Sequence, residues 1–353
     1  MLTGVIGLRC SLTIGEADEN FYYFNEAMHI LLSSDSNYIM PSCVMMKSVS
    51  LNNADEDIVF HIQIDSSVGD RHIRQLRNAI ATPRHTIECH QMDRWAFHEY
   101  PKIGVVKTYL SKTAYYRLLA ADVLSQDIHK VLYLDGDIIV RKSLHALWNI
   151  DMDGKAVAAV TDMAEAKQDF SRLSYPRHLG YFNSGVLLIN VDYWREHHLK
   201  EKFLDLITNH PEQIVLHDQD VLNITLHDQK LCLPMKYNVQ NGFLWKKDFN
   251  QLGDRYEEYE ADLLEAIADP VIIHFTDKKP WHVEDCNPYS YEFMKYYKQT
   301  EWKYQPLTHC NKSKIRYFAA KFLRKLGAIP QARTDEEKYY SLDKLQSLVK
   351  NRL

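Results

Sequence analysis

The sequence lacks the features that mark secreted, disulfide-stabilised or membrane-spanning chains. Its six cysteines include no C-x-x-C pair, so neither a thiolate zinc site nor a disulfide framework is indicated. The N-terminal stretch contains no basic segment followed by an unbroken apolar core, which argues against a secretory signal. No apolar run approaches the length of about 20 residues that crosses a bilayer. We therefore expect a cytoplasmic protein.

The composition is that of a folded chain without a general affinity for polyanions. Of the 353 residues, 46% are hydrophobic and 25% are charged, which provides enough apolar surface for a core. The formal net charge of −5 argues against a surface that binds nucleic acid. The chain contains no internal repeat and no low-complexity segment.

Short apolar runs alternate along the chain with helical patterns. We predict strands at 28–33, 58–64, 130–134, 156–161, 185–190 and 271–275, and helices at 41–49, 70–80 and 112–124. Such alternation, with continuous apolar strands, predicts an α/β fold in which helices cover both faces of a largely parallel sheet. Ligands of such sheets bind beyond the carboxyl ends of the strands. Polar residues that follow each strand are therefore the candidates for function.

Two carboxylates, Asp135 and Asp137, follow one of these buried strands. The same spacing occurs elsewhere in the chain, so the spacing alone identifies nothing. Here, however, apolar runs flank both acids, and burying two like charges is costly unless a cation compensates them. Oxygen ligands favour magnesium, calcium or manganese. The residues leave two interpretations open, a divalent metal site and a pair of polar strand ends.

The segment Val131–Val140 resembles the Asp-x-Asp strand of the retaining nucleotide-sugar glycosyltransferases of family 8, which include bacterial lipopolysaccharide galactosyl- and glucosyltransferases. Five further blocks resemble motifs of this family and occur in its order. They are Leu32–Tyr38, Ser111–Leu118, Tyr181–Asn190, Asp218–Asn223 and Ile273–His282. On these six blocks the chain is identified as a member of the family.

The resemblance implies an A-type glycosyltransferase fold, which is an α/β, Rossmann-like, mostly parallel sheet with helices on both faces. A helical, basic C-terminal tail follows it in this chain. We accordingly divide the sequence into an N-terminal extension of unknown role at 1–27, a catalytic nucleotide-sugar transferase domain at 28–290 and a helical C-terminal region at 291–353.

The resemblance also implies a metal site formed by Asp135, Asp137 and His274. A departing nucleotide diphosphate needs its charge neutralised, which a divalent ion, Mn²⁺ or Mg²⁺, would provide. A single histidine at the end of a strand is more often structural, but Lys279 and the Pro-Trp pair behind it favour a ligand here. Lys279 is implied to bind the diphosphate as a mobile point charge.

Other polar residues are assigned to the nucleotide sugar on the same ground. Asp35 and Asn37 are implied to contact the base and ribose, and a carboxylate at Asp35 favours uridine. Asp35 can also act as a helix cap before Tyr38. Arg117 is directed towards the donor sugar, although most arginines within helices only cover surface. The predicted nucleotide-sugar residues are Ser33, Asp35, Asn37, Arg117, Asp135, Gly136, Asp162, Asn183, Asp218, Gln219 and Lys279.

The predicted catalytic residues are Gln219, Asp220, Arg117 and Lys279. The amide oxygen of Gln219 is a poor nucleophile, but it can stabilise positive charge at the anomeric carbon. Asp220 is the better nucleophile if it reaches that carbon, and its alternative role is to favour the dipole at the start of a helix. We favour a same-face displacement, in which the leaving phosphate helps to deprotonate the acceptor, over a covalent intermediate.

One residue departs from the family pattern. The family usually has glycine where this chain has Asp277, at a turn where backbone amides approach the phosphates. The acid repels the diphosphate, turns outwards or is offset by Lys278, and the sequence leaves these three alternatives open.

The C-terminal tail has its own composition, because residues 302–334 include eight basic residues and no acid. Within 312–326, apolar residues recur at helical spacing, with Lys314, Lys321 and Arg324 largely opposite them. A basic amphipathic helix of this kind binds the interface of an anionic membrane, and the alternative is packing on the catalytic domain. We favour peripheral contact with the inner face of the cytoplasmic membrane.

The predicted activity is that of a retaining, metal-dependent hexosyltransferase. It would move glucose or galactose from a UDP-sugar to a hydroxyl of a lipopolysaccharide or related cell-surface glycan, with no nucleic acid partner. Two alternatives stay open. One is a family 8 transferase acting on a protein or exopolysaccharide acceptor, and the other is a catalytically silent nucleotide-sugar-binding protein, which Asp277 alone supports.

Overall fold

The computed structural model describes residues 27–92, 112–246, 252–309, 322–323, 326 and 338–350. The strands are β1 (Met28–Ser34), β2 (Ile58–Ile64), β3 (His85–Gln91), β4 (Lys130–Leu134), β5 (Ile138–Val140), β6 (Val157–Thr161), β7 (Phe182–Asn190), β8 (Lys230–Cys232), β9 (Val239–Gln240) and β10 (Ile272–His274).

The helices are α1 (Ile39–Asn52), α2 (Asp70–Ala79), α3 (Ala120–Val123), α4 (His145–Trp148), α5 (Phe170–Leu173), α6 (Val191–Glu196), α7 (Leu199–Asn209), α8 (His217–Leu226), α9 (Tyr256–Ala268), α10 (Ser290–Tyr297) and α11 (Leu342–Lys350). The predicted helix at 112–124 is a 3₁₀ helix over Lys112–Leu119 that continues into α3.

Seven strands form the central sheet, in the order β3-β2-β1-β4-β7-β6-β8. Strands β1 to β4 pair in parallel, as do β6 and β8, whereas β7 runs antiparallel to both of its neighbours. The prediction of a largely parallel sheet is confirmed. The direction of β7 was not predicted, because an apolar pattern defines a buried strand but not its orientation.

A second sheet of three strands, in the order β5-β10-β9, stands beside the first. The run at 271–275 was predicted to join the central sheet, but β10 pairs antiparallel with β5 and parallel with β9. The chain leaves the large sheet at the end of β4 and enters the small sheet at Ile138. Asp135 and Asp137 therefore lie on the turn that connects the two sheets.

Apolar side chains of the central strands point alternately to two cores, as the period of two requires. Leu132 and Leu134 of β4 pack in a cluster that contains residues of α1 and α2. Val131 and Tyr133 face the opposite side and pack with residues of α7 and α8. Helices thus cover both faces of the sheet, which confirms the predicted layers.

The described part of the C-terminal region docks on the main body. Tyr340 N donates a hydrogen bond to Leu244 O at 3.0 Å, and Leu345 of α11 is fully buried where α11 packs against α9. The predicted extension at 1–27 lies outside the described residues except for its last residue. The predicted amphipathic segment 312–326 also lies outside them, apart from Phe322, Leu323 and Leu326. Within the described stretches no helix is long and apolar enough to cross a membrane.

Candidate active site

Asp135, Asp137 and His274 converge at the junction of the two sheets. His274 Nε2 lies 3.4 Å from Asp137 Oδ1 and 3.7 Å from Asp135 Oδ2, and one potential ligand atom from each residue falls within 4.8 Å of the others. Ligands about 2.1 Å from one octahedral ion are about 3.0 Å apart when adjacent and about 4.2 Å apart when opposite. The three side chains therefore fit a single divalent ion.

A chain of hydrogen bonds determines which ring nitrogen of His274 carries a proton. Asp162 accepts from Asn183 Nδ2 at 3.0 Å, which orients the Asn183 amide so that its Oδ1 accepts from Asn238 Nδ2 at 2.9 Å. Asn238 Oδ1 then faces His274 Nδ1 at 3.0 Å, and an amide oxygen only accepts. His274 Nδ1 therefore carries a proton, and Nε2, which faces the two carboxylates, is the ring atom available for metal ligation.

Two glycines make this close approach sterically feasible. A Cβ atom on Gly185 would lie 2.2 Å from His274 Cε1 and 2.8 Å from Asp135 Oδ2. A Cβ atom on Gly136 would lie 2.9 Å from both Ser42 Oγ and the Tyr38 ring. Any side chain at Gly185 would therefore separate the histidine from the carboxylate. The sequence reasoning placed Gly185 in a family block but gave it no role.

Lys279 and Tyr38 complete the contacts of Asp137. Lys279 Nζ lies 2.6 Å from Asp137 Oδ2 and donates to Phe275 O at 2.5 Å, while the Tyr38 hydroxyl donates to Asp137 Oδ2 at 3.1 Å. Burial by itself would raise the pKa of Asp137, but the charge of Lys279 and the hydrogen bond that Lys279 donates hold that pKa well below its usual range. Asp137 is thus an ionised carboxylate in an ion pair with Lys279.

Arg117 connects two carboxylates of the site. Its Nη2 lies 2.8 Å from Asp135 Oδ1 and its Nε lies 3.2 Å from Asp218 Oδ2. It also donates to Ser184 O at 2.6 Å, and its guanidinium lies 4.3 Å from the centroid of the Tyr133 ring. Burial would lower the pKa of Arg117, but the charges of the two carboxylates outweigh burial and raise it. In this structure Arg117 holds Asp135 and Asp218 in place.

Three of the predicted sugar residues form one polar cluster. Asp162 Oδ2 accepts from Asn183 Nδ2 at 3.0 Å and from Gln219 Nε2 at 3.1 Å. Gln219 Oε1 in turn accepts from Ser184 N at 3.1 Å. Because Asn183 also contacts Asn238, this cluster and the candidate metal-binding group of Asp135, Asp137 and His274 share one hydrogen-bond network.

Asp220 is held by a separate set of hydrogen-bond donors. It has no exposed surface, and its Oδ2 accepts from Arg172 Nη1 at 2.8 Å and from the backbone amides of Val215 and Leu216 at 2.7 Å each. Its Oδ1 accepts from the Tyr181 hydroxyl at 2.8 Å. These contacts favour the structural role over the nucleophilic role that the sequence left open.

The first predicted nucleotide-binding turn follows β1. Ser33 Oγ donates to Gln63 Oε1 at 2.9 Å. Asp35 Oδ1 accepts from the backbone amides of Asn37 at 2.9 Å and Tyr38 at 3.1 Å, so Asp35 closes the turn before α1, whose N-cap residue is Tyr38. Asn37 is exposed. This turn reaches Asp137 through the Tyr38 hydroxyl, a contact that the sequence reasoning missed.

Asp277 is exposed. Among the three alternatives for this acid, exposure favours the outward orientation, in which the carboxylate points away from the buried Asp137 and His274.

A two-sheet α/β fold with an Asp-x-Asp turn at the sheet junction, opposed by a histidine and a lysine, defines an A-type glycosyltransferase. The galactosyltransferase LgtC, solved with donor and acceptor sugar analogues, has this fold, with a TM-score of 0.69 over 78% of this chain and 99% of its own. The identity of this pair is 24%.

Sequence comparisons identify the family. The family model for Glycosyl transferase family 8 matches residues 29–285. General stress protein A of Bacillus subtilis is 30% identical over 283 residues, which cover 79% of this chain and 96% of that protein. A lipopolysaccharide 1,2-glucosyltransferase of Escherichia coli is 31% identical, over 73% of this chain and 74% of its own. The chain belongs to glycosyltransferase family 8 and is a glycosyltransferase.

Proposed function

We propose that this enzyme transfers glucose or galactose from a UDP-sugar to a hydroxyl of a cell-surface glycan, with retention of configuration. The observation that carries this proposal is the convergence of Asp135, Asp137 and His274 beside Lys279. These residues would hold Mn²⁺ or Mg²⁺, and the ion, when bound, would neutralise the diphosphate of the donor. Lys279 would bind the same diphosphate from the protein side.

The roles of the other polar residues follow from their positions in the network. Asp35 and Asn37 would contact the nucleoside from the turn after β1. Asp162, Asn183 and Gln219 would line the sugar pocket, since they cluster beside the metal-binding group. Gln219 is only half-buried, so its amide can face the anomeric carbon. A buried, fully engaged Asp220 supports same-face displacement over a covalent intermediate on that carboxylate.

The acceptor proposed is a lipopolysaccharide or a related glycan. A relative that spans most of the catalytic region is named as a lipopolysaccharide glucosyltransferase, and this supports the choice. The silent-binder alternative loses its only support, because Asp277 is exposed and the metal-binding group is intact.

We also propose a cytoplasmic location with peripheral membrane contact through the segment 312–326. Three of its predicted apolar residues are described, and all are exposed, with 62% for Phe322, 40% for Leu323 and 63% for Leu326. Packing on the catalytic domain, which was the alternative, would bury them. The exposure of these three residues supports membrane contact, which suits a lipid-linked acceptor.

The experiment that tests the activity is a screen of UDP-sugars for UDP release with Mn²⁺, in the presence and absence of glycan acceptors. We expect release with UDP-glucose or UDP-galactose, an increase with the acceptor and a loss with EDTA. UDP binding without release from any donor, at every acceptor tried, would instead identify a nucleotide-sugar-binding protein.

A further inference from the structure

Parallel strands β2 and β3 present a second group of metal-ligand atoms, far in sequence from the first. Among the residues that the structure describes, His61, Glu88 and His90 are the other set whose ligand atoms lie within 4.8 Å of one another. His61 is paired with Glu88 across the two strands, and His90 lies two residues further along β3. The period of two therefore places all three side chains on the same face of the sheet.

The distances within this group match those of ligands on one small ion. His61 Nδ1 lies 3.1 Å from His90 Nε2 and 3.3 Å from Glu88 Oε2. Ligands about 2.05 Å from a tetrahedral zinc ion are about 3.3 Å apart. The two imidazoles and the carboxylate are also the ligand types that zinc takes in proteins with an open fourth position.

A third histidine, His29, contacts the other ring nitrogen of His61. His29 Nδ1 of β1 lies 2.9 Å from His61 Nε2. Histidines that ligate a metal donate the other ring N–H to an acceptor, which fixes the tautomer and the ring orientation. His61 is fully buried, and its contacts with His29 and His90 fix the orientation of its ring.

We propose that His61, Glu88 and His90 bind a transition-metal ion of the zinc class, with His29 accepting the Nε2 proton of His61 and solvent completing the coordination. Such an ion would join the edge strand β3 to β2. It would be distinct from the ion proposed at Asp135 and Asp137, because imidazole-rich sets suit zinc whereas carboxylate-rich sets suit magnesium and manganese.

The test measures Zn²⁺ binding to the full chain, made without a histidine tag and stripped with a chelator. Asp137→Asn serves as the background, because it disables the other metal-binding group. We expect one Zn²⁺ per chain in this background, and at least a tenfold loss of affinity on adding His90→Gln or Glu88→Gln. His178→Gln is the matched control, since His178 is exposed and belongs to neither group. Binding of Co²⁺ in place of Zn²⁺ should give tetrahedral d–d bands that disappear with the ligand variants.

Two results would overturn the proposal. One is an unchanged Zn²⁺ affinity in both ligand variants, which would leave His29, His61 and His90 as a chain of hydrogen bonds only. The other is loss of Zn²⁺ in Asp137→Asn alone, which would place the ion at the Asp-x-Asp turn. Glu88 has a side chain that is 60% exposed, so Glu88→Gln should fold even if His90→Gln does not.

Discussion

At the scale of single residues, the site depends on how buried charges are compensated. Asp135, Asp137 and Asp218 all lie in or beside the site, and a protein cation contacts each of them. Burial raises the pKa of Asp218 despite the charge of Arg117, whereas the charge of Lys279 lowers the pKa of Asp137 and keeps it ionised. The two carboxyl groups therefore differ in the direction of their pKa shift, and Asp137 is the one held in the ionised form that a cation binds.

We predict that metal and nucleotide bind interdependently, because the diphosphate would complete the coordination shell of the ion. In thermal melts, UDP should stabilise the protein much more with Mn²⁺ than with EDTA. Asp137→Ala should abolish this metal-dependent increment, whereas Asp55→Ala, in an exposed Asp-x-Asp pair, should retain it. Equal stabilisation by UDP with and without metal would refute the assignment of the metal site.

Substitution of Lys279 should lower kcat more than substitution of its neighbour Lys278. If its charge neutralises the leaving diphosphate, Lys279→Ala should reduce kcat roughly 10²- to 10³-fold, as removal of one preorganised donor does. Lys278→Ala is the control and should have a much smaller effect. Asp277→Gly should leave UDP affinity nearly unchanged, since Asp277 is exposed. An unaltered kcat in Lys279→Ala would remove this residue from the site.

Substitutions at the adjacent residues Gln219 and Asp220 should have different effects, one on catalysis and the other on stability. Asp220→Asn should destabilise the fold by about 3–5 kcal/mol, because it leaves the charge of Arg172 without its buried partner. Gln219→Ala should lower kcat while the urea midpoint changes little. A stable Asp220→Asn that has lost its activity would restore Asp220 as a candidate nucleophile.

The predicted metal ligands were easier to identify from the sequence than the residues that position them. Asp135 and His274 were predictable because each ends an apolar strand inside a recognisable block. Asn238 was not, since it comes close to His274 only through the pairing of β9 with β10. The requirement for glycine at 185 was equally hidden, because it arises from His274 Cε1, which would lie 2.2 Å from a Cβ atom at this position.

At the scale of elements, the site is created by a change of sheet rather than by the end of one sheet. β4 and β5 flank the Asp-x-Asp turn, and β10 of the second sheet ends in His274. The apolar runs of the sequence predicted that these strands exist and are buried. They carried no information on which sheet each strand joins, since that depends on partners far along the chain.

Helix α11 should contribute to the cooperative fold. Leu345 is fully buried, and Tyr339, just before α11, accepts a hydrogen bond from Asn241 Nδ2 at 3.1 Å. Leu345→Ala should therefore lower the free energy of unfolding by about 2–5 kcal/mol, measured with urea. Gln346→Ala, at an exposed position, should have little effect. If the two variants unfold alike, α11 is not part of the cooperative unit.

At the scale of the whole molecule, a net negative chain carries a locally basic tail. The formal charge of −5 coexists with eight basic residues and no acid over 302–334. Repulsion between the body and an anionic membrane would thus orient the tail towards the surface, where each basic residue contributes on the order of 1 kcal/mol.

The membrane prediction calls for substitutions rather than a truncation. A chain ending near Thr308 would also lose Tyr339 and Leu345, whose contacts stabilise the body, so a loss of binding would be ambiguous. Phe322→Glu with Leu326→Glu instead changes two exposed apolar residues and the charge by two units, and Lys344→Glu, also exposed, matches that change of charge. In co-sedimentation at low salt, we expect the unsubstituted chain and Lys344→Glu to bind anionic vesicles, and the double variant to stay in solution. If all three bind equally, or none binds, the tail is not a membrane anchor and a soluble acceptor is favoured.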